Sequence, residues 1–420
     1  MTTVIAATRE VRTSATAHTG LSRHRGSAIV AWVLTVVSLV AWRFGVYYSG
    51  GVDPVVLAKA TLNVVAFLIA FMMVARRRTG RTLSVRTPLI VLTFVVVSTL
   101  GAAAEGNLLA SGVLGARLLL VCATVCLLVV ACSLEELLDS FVFAMGAVGV
   151  VSAVSGASSL SGGGRLSGGI PPVEPNQIGL LVGVPIIWAV WRMTQTGGRA
   201  IHLLVVLVGF GITWLTGSRG GLAAVLVACL LVVLLAPRLR LGGFLTMVAS
   251  IPIAFYVVAF TGLFLAYFNR GGAENITTLN SRTIAWRAAF AADADFWQRW
   301  FGGGLSVKLV PVSESWDAQV LDSTWVSTFV QTGVIGLVIL SLWVLTTLWR
   351  TLSAPVSYRG LWVGLVVYAL MRSVIETGLL DSYALFLVIL VPSLVCDLRS
   401  SSSLVEGDVQ RAAPRSRTPV

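Results

Sequence analysis

Apolar runs long enough to cross a lipid bilayer recur along almost the whole of this sequence, and no other feature constrains the fold as strongly. A membrane-spanning helix needs about 20 predominantly apolar residues. Such runs occur at residues 28–48, 54–75, 87–104, 113–131, 140–157, 177–192, 200–216, 220–237, 243–267, 325–349, 360–376 and 382–397. Their apolar residues are continuous and do not alternate with period two, which predicts helices and not the strands of a barrel. We therefore expect an all-α membrane protein with about 12 transmembrane helices.

The composition and the distribution of charge agree with this fold class. Only 11% of the residues are charged, whereas a soluble domain has about 25% charged residues. The net charge of +12 does not indicate a nucleic-acid partner, because the basic residues concentrate in the N-terminal tail, the loop 76–86 and the C-terminal tail. This is the positive-inside pattern, which predicts a multi-pass protein of the cytoplasmic membrane with both termini in the cytoplasm.

The same pattern divides the chain into three parts. We expect a basic cytoplasmic tail at 1–27, a polytopic membrane domain at 28–397 and a disordered cytoplasmic tail at 398–420. Within the membrane domain, the segment 155–177 is rich in Gly, Ser and Pro and is expected on the outer side. Its composition is typical of a hinge over a site or of a slack connector, and both interpretations stay open.

The longest polar segment, 268–324, is expected as a large outer loop between the ninth and tenth runs. It contains the stretch SRTIAWRAAFAADADFWQRWF at 281–301, which is rich in Trp and Phe. Aromatic side chains favour the headgroup level of a membrane, so this stretch predicts a helix at the membrane surface. Asn280 or Ser281 is available to cap its first turn.

Several arginines fall on the predicted outer side, where the insertion rule makes positive charge scarce. Arg219 stands between Ser218 and Gly220–Gly221 at the start of the eighth run. Backbone N–H groups and the helix dipole favour an anion at such a position, and a guanidinium adds a fork that matches phosphate oxygens. Arg219 therefore predicts a contact with a lipid-linked diphosphate. The alternative is that outer arginines snorkel to the interface or pair with acids of their own loop.

Two further cations, Lys59 and Arg117, lie inside apolar runs close to their predicted outer ends. A charge in a membrane span costs at least about 2.5–3.5 kcal/mol, and Lys59 is close enough to the outer end of its run to snorkel. Glu105 precedes Arg117 in the connecting loop. The sequence favours a structural ion pair here, and a substrate contact stays open.

Six motifs of this sequence resemble the O-antigen ligase/polymerase superfamily of bacterial membrane glycosyltransferases. The first, TGSRGGLAAVLVACLLVVLL at 216–235, resembles the motif that opens its shared region. The pattern continues with NSRTIAWRAAF and the turn FGGGL, and then with DSTWVSTFVQTGVIGLVILSLWVL, which leaves the loop and enters the next helix. Weaker signatures are EPNQIGLLVGVPI and RSVIE. The similarity covers roughly residues 170–385.

The resemblance implies a GT-C-like all-helical fold with the large loop between the ninth and tenth helices. It implies a glycan donor attached to undecaprenyl diphosphate and a glycan acceptor, with transfer on the outer face and without metal, cofactor or nucleotide sugar. Membrane lipids and other polysaccharide-assembly proteins are the further partners it implies. The residues that match the family's functional positions, and that we expect in catalysis or substrate binding, are Arg219, Arg282, Arg287, Arg372 and Glu376.

One departure from the family concerns catalysis, because Asp322 stands where ligases of this family carry a histidine. The histidines of this chain, His18, His24 and His202, are predicted on the inner side and cannot reach an outer reaction. Asp322 is thus the candidate general base, although an ordinary Asp pKa of about 3.9 is low for that role. It can instead orient the acceptor by accepting a hydrogen bond, or simply cap the tenth helix.

The predicted function is a glycosyltransferase that transfers or polymerises lipid-diphosphate-linked oligosaccharides for a cell-surface polysaccharide. The missing histidine favours a polymerase over a ligase that attaches the glycan to another acceptor. Two other classes stay open, a polysaccharide or lipid transporter and a non-catalytic assembly scaffold. A transporter should show broken helices in two related halves, and no such symmetry is visible in the sequence.

Overall fold

A computed structural model describes residues 25–43, 48, 50–51, 53–76, 81–161, 164–196, 199–237, 282–291, 294–312, 318–381 and 383–399. This part of the chain is mostly helical. The helices are α1 (Arg25–Leu39), α2 (Pro54–Arg76), α3 (Arg86–Ala104), α4 (Leu108–Ala131), α5 (Leu134–Ser155), α6 (Pro175–Thr196), α7 (Ala200–Leu215), α8 (Arg219–Leu234), α9 (Arg282–Ala291), α10 (Phe296–Phe301), α11 (Thr324–Leu352), α12 (Val356–Ile375) and α13 (Ala384–Asp397).

Seven helices in the described ranges, α2 to α6, α11 and α12, are long and apolar enough to cross a membrane. Four more, α1, α7, α8 and α13, are apolar but only 10–17 residues long. Each of these eleven overlaps a predicted apolar run, and the ninth run, 243–267, lies outside the described residues. The described residues are thus mostly helical, with seven helices able to span a membrane, which fits an all-α membrane protein, and the total of about 12 spans stays a prediction.

The start of α5 differs from its prediction. The fifth run was expected from residue 140, yet the helix begins at Leu134. Ser133 accepts a hydrogen bond from the Glu136 N–H at 3.2 Å and donates its own N–H to the Glu136 carboxylate at 2.9 Å. This capping box stabilises the first turn. Because the turn contains acidic residues, its hydropathy is low and did not predict a helix there.

The helices pack around α6, α12 and α13. Helix α12 packs most extensively against α8, and α6 packs against α5, α7 and α8. In α13 every side chain from Ala384 to Leu394 is buried. At the periphery, α2 exposes Leu57, Leu68 and Phe71, as expected of a surface that faces lipid.

The aromatic stretch 281–301 forms two helices, α9 and α10, and not the single helix that was expected. Asp295 begins α10, where its carboxylate accepts the Gln298 N–H at 2.6 Å. Phe290, Phe296 and Trp300 are exposed, which fits a position at a membrane surface. The predicted caps, Asn280 and Ser281, lie outside the described residues.

The turn FGGGL at 301–305 is fixed to a kink in α11. Gly333 interrupts that helix with φ 62° and ψ −162°. The N–H of Gly303 donates to Val330 O and that of Gly304 to Gln331 O, both at 2.9 Å. A Cβ on Gly302, whose φ is +72°, would lie 2.3 Å from the backbone of Gln331. Glycine is therefore required because two backbones meet here.

Two pairs of short antiparallel strands lie outside the helices. The strand β1 (Thr82–Leu83) pairs with β4 (Leu398–Arg399), and β2 (Leu309–Val310) pairs with β3 (Gln319–Val320). The second pair directly precedes Asp322 in the chain. Its register, with Leu309 opposite Val320, therefore fixes where Asp322 enters the bundle.

Candidate functional site

A polar cavity of about 200 Å³ opens where the end of α1 and the starts of α2, α6, α11 and α13 meet the end of α12. This is the end of the bundle that the charge pattern predicts to be outer. Aromatic and amide side chains share its wall with charged groups. The charged lining residues are Arg43, Asp53, Lys59, Arg117, Glu174, Lys308, Asp322, Glu376 and Asp381. We call this site the polar cavity.

Asp322 lines the polar cavity beside Glu376. It follows β3, and the N-cap residue of α11 is Ser323, so the structure does not support Asp322 as the cap. Both the N–H and the hydroxyl of Thr324 donate to the Glu376 carbonyl, at 2.9 and 2.7 Å. These bonds tie the start of α11 to the end of α12 and hold the two carboxylates in one wall.

Glu174 is the third acid of this wall, and the sequence reading did not single it out. Burial raises its pKa above the ordinary value, and the neighbouring carboxylates of Asp322 and Glu376 raise it further, while Arg165 opposes them. The three carboxylates are called the acidic trio below. Within it, Glu174 is the group that takes up a proton more readily than an ordinary glutamate.

Arg372 forms the predicted ion pair with Glu376, one helical turn away. Its side chain is fully buried and also donates to Ser218 Oγ at 3.3 Å and to the Asn176 carbonyl at 2.5 Å. A Cβ on Gly221 would lie 2.1 Å from Arg372 Nη1. Gly221, the second residue after Arg219, therefore makes room for this guanidinium, which joins α6, α8 and α12.

Arg219 is the first residue of α8 and is half-buried. It directly follows Ser218, the partner of Arg372, but it does not line the polar cavity. The turn before it is also held by Arg165, whose Nε donates to the Thr216 carbonyl at 2.8 Å. Two arginines, the buried Arg372 and the exposed Arg165, thus hold the turn that presents Arg219.

Arg165 belongs to the Gly- and Ser-rich segment 155–177, which is more ordered than a slack connector. Leu166 N–H donates to the Leu215 carbonyl at 3.0 Å, and Gly169 N–H to the Ser152 carbonyl at 3.1 Å. The described residues of this segment therefore pack on the ends of α5 and α7. They form part of the frame around the polar cavity.

The two arginines of the large loop that match the family positions, Arg282 and Arg287, lie on α9. Arg282 is its first residue, and the side chain of Arg282 lies outside the described part of the structure. Arg287 is exposed on the same helix. Helix α9 packs through Ala289 against Leu321, the neighbour of Asp322. The backbone thus brings α9 to the site, and contacts of Arg282 and Arg287 with substrate stay predictions.

The one histidine in the described residues lies far from this chemistry. His202 is buried near the start of α7, accepts the Arg199 N–H at 3.3 Å, and contacts the Trp188 ring edge-on. The opposite end of α7 leads into the turn before Arg219, about 20 Å away at 1.5 Å per residue. His202 therefore has a packing role, as expected.

The comparison with known families agrees with these motifs. Residues 203–341 match the model of the family Wzy_C, O-antigen ligase. The matched region contains Arg219, Arg282, Arg287 and Asp322, while the Arg372–Glu376 pair lies beyond it. No curated protein matches the chain. The match over 203–341 supports membership of the chain in the O-antigen ligase/polymerase superfamily.

Proposed function

We propose that this protein is a glycosyltransferase that polymerises lipid-diphosphate-linked oligosaccharides on the outer face of the cytoplasmic membrane. The observation that carries the proposal is the acidic trio in the polar cavity, joined by the buried Arg372 to the turn that presents Arg219. The family match over 203–341 supplies the general reaction class. Undecaprenyl diphosphate is the carrier that the resemblance implies.

In this reaction the oxygen of an acceptor hydroxyl forms a bond to the anomeric carbon of the donor sugar. The bond from that carbon to the diphosphate oxygen breaks, and the lipid diphosphate leaves with the electron pair. Arg219 and Arg282, with Arg287 as a further contact, would stabilise the negative charge that develops on the leaving group. Each such charge-assisted hydrogen bond is worth about 1.5–3 kcal/mol.

The proton of the acceptor hydroxyl goes to the acidic trio. Asp322 accepts the hydrogen bond of the hydroxyl and orients it, since its carboxylate lies in the cavity wall. Glu174, whose pKa is raised by burial and by its two acidic neighbours, is a stronger base than an ordinary glutamate and would take the proton. The trio can thus serve where family ligases use a histidine.

Arg372 is a positioning residue in this scheme. Its guanidinium is fully buried and bound to protein groups, so it acts through Glu376 and through the turn of Arg219. Glu376 lines the cavity directly and is the member of the pair that can contact the glycan.

The test is an assay of carrier-lipid release by the purified full-length protein in lipid nanodiscs. The substrate is an oligosaccharide on undecaprenyl diphosphate, and free undecaprenyl diphosphate and longer glycans are both measured. If the protein is a polymerase, the wild type releases the carrier and lengthens the glycan. Asp322→Asn and Glu174→Gln should each slow the release of carrier by at least about tenfold, because general base catalysis is lost.

Other results would assign other classes. Release with no lengthening until a second acceptor is added indicates a ligase. Movement of intact lipid-linked glycan across the bilayer, with no release of carrier, indicates a transporter. Absence of both activities in a folded protein indicates a scaffold, and either of the last two outcomes refutes the proposal.

A further inference from the structure

Two cations of the polar cavity have no role in the proposed transfer. Lys59 lies on α2 and Arg117 on α4, two helices that pack against each other. Lys59 sits over the Trp42 ring, 5.7 Å from its centroid. Among the described residues neither Lys59 nor Arg117 forms an ion pair, and the expected pair of Arg117 with Glu105 is not seen.

Arg117 uses little of its hydrogen-bonding capacity on the protein. Its Nη2 donates to the Ser38 carbonyl, and its buried Nε has no partner in the described part of the chain. A guanidinium carries five N–H donors in a fixed fork. An Arg side chain inside a membrane span that retains unused donors and opens on a polar cavity is a candidate ligand contact.

The carboxylates near Lys59 and Arg117 already form ion pairs with other cations. Asp53, which interacts electrostatically with Lys59, pairs with Arg43 at 3.4 Å. Asp381, which interacts with Arg117, pairs with Lys308. Lys59 and Arg117 also repel each other. This side of the cavity therefore holds more cations than acids, whereas the acidic trio lies at the ends of other helices.

The surrounding groups are suited to a sugar. Trp42, Tyr48 and Tyr383 line the cavity together with the amides of Asn176 and Gln177. Aromatic faces combined with a few convergent polar groups are typical of small-ligand sites. A sugar held here would present its hydroxyls to amides and carboxylates, and any acidic substituent to the two cations.

We propose that Lys59 and Arg117 form a subsite for an anionic substituent of the glycan, a carboxylate or a phosphate ester, so that the protein acts on an acidic polysaccharide. This inference rests on the proposed function for its substrate, but its binding step can be measured alone. The subsite is separate from the arginines assigned to the lipid diphosphate.

The experiment measures the thermal unfolding midpoint of the full-length protein in nanodiscs, since a ligand of the folded state raises it. The probes are digalacturonate, neutral digalactose, galactose 6-phosphate and pyrophosphate. We expect stabilisation by digalacturonate or by galactose 6-phosphate, and none by digalactose. Stabilisation by digalacturonate indicates a carboxylate subsite, and stabilisation by galactose 6-phosphate indicates a phosphate-ester subsite. Lys59→Met and Arg117→Gln should remove the response, whereas the distant control Arg359→Gln should retain it.

The variants also test a purely structural role. If Lys59 and Arg117 bind a ligand, Lys59→Met should unfold at the same or a higher temperature than wild type without probe, because a half-buried charge that forms no ion pair among the described residues is removed. A lower unfolding midpoint of Lys59→Met, together with a response to the probe that is retained in Arg117→Gln, would overturn the subsite. Equal stabilisation by charged and neutral sugars, or none by either anionic sugar, would overturn it too. Stabilisation by pyrophosphate alone would place the lipid diphosphate here instead.

These outcomes are independent of the transferase assay. A protein that releases the carrier lipid but does not distinguish charged from neutral sugars retains the proposed function and loses this inference. A protein that binds acidic sugars through Lys59 and Arg117 but never releases the carrier retains the subsite and loses the transferase function.

Discussion

Arg372 Nη1 donates to the hydroxyl of Ser218 at 3.3 Å and thereby connects the end of α12 to the turn that begins α8. The same guanidinium pairs with Glu376 in the wall of the polar cavity. A single buried cation thus links the predicted diphosphate side of the site to its acidic side. The first two predictions follow from this link.

Loss of Arg372 should affect both stability and activity. Arg372→Ala leaves Glu376 without its buried partner, which costs about 3–5 kcal/mol of unfolding free energy. Arg372→Lys keeps the charge but not the fork that reaches several acceptors, so it should recover most of the stability and little of the transfer rate. Denaturation and carrier-release assays measure the two effects. Equal losses in both variants would contradict the positioning role.

Gly221 should tolerate no side chain. A Cβ at this position would lie 2.1 Å from Arg372 Nη1, so Gly221→Ala must displace the guanidinium from Ser218. We expect a lower unfolding midpoint and slower transfer. The matched control is Gly211→Ala, where no atom lies within 4 Å of the new Cβ. That change should stabilise helix α7 by about 0.5–1 kcal/mol, and a similar effect at both positions would refute the crowding argument.

Arg219→Ala should leave the protein folded and inserted while abolishing polymer formation, because Arg219 is half-buried at a helix start and is assigned to the leaving group. Arg282→Ala should do the same. Gel analysis of polymer length and amount measures the effect, with the unfolding midpoint as control. Undiminished polymer in either variant would remove the diphosphate mechanism.

Substitution of Gly302 should cost more stability than substitution of other glycines with positive φ, because two backbones lie close together at Gly302. Gly302 has φ +72°, and a Cβ added there would lie 2.3 Å from backbone atoms of α11, whereas Gly106 has φ +73° and open space. Gly106→Ala therefore carries only the conformational cost, about 1–2 kcal/mol, and Gly302→Ala should cost clearly more. Urea unfolding of the two variants provides the comparison, and equal losses would show that conformation alone decides.

The raised pKa of Glu174 predicts a pH dependence of stability. A carboxyl with a higher pKa in the folded state binds more protons when folded, so the unfolding free energy falls as the pH rises above the ordinary value of 4.5 and through the folded pKa. Wild type should thus lose stability as the pH rises above 4.5, and Glu174→Gln should lose less. Transfer should show the opposite trend and fall on acidification, as Glu174 becomes protonated.

The control for this prediction is Glu135→Gln, a change of the same kind on the exposed start of α5. It should keep the wild-type dependence of both the unfolding midpoint and the transfer rate on pH. A pH profile of Glu174→Gln that matches wild type would exclude Glu174 as the titrating group.

Helices were predictable from the sequence because each apolar run must satisfy its backbone internally in lipid. Boundaries were less accurate where charge begins a helix, as at Leu134, or where an aromatic stretch contains a break, as before Asp295. The Arg372–Glu376 pair was also predictable, since residues four apart share a helix face.

The polar cavity was not predictable in the same way. Its charged residues come from several helices and the connections between them, and hydropathy does not encode which helices are neighbours. Glu174 could have been suspected as an acid just before the start of α6. The proximity of Lys59 to Arg117, or of Lys308 to Asp381, follows only from tertiary packing.

The backbone contact between the FGGGL turn and the Gly333 kink of α11 has a consequence for how the sequences of such proteins can vary. The contacts are made by main-chain atoms of Gly303 and Gly304 with Val330 and Gln331, so they do not depend on the side chains that precede the turn. The long loop can therefore change in length and sequence while the start of α11 and the aspartate before it stay in register with the rest of the bundle.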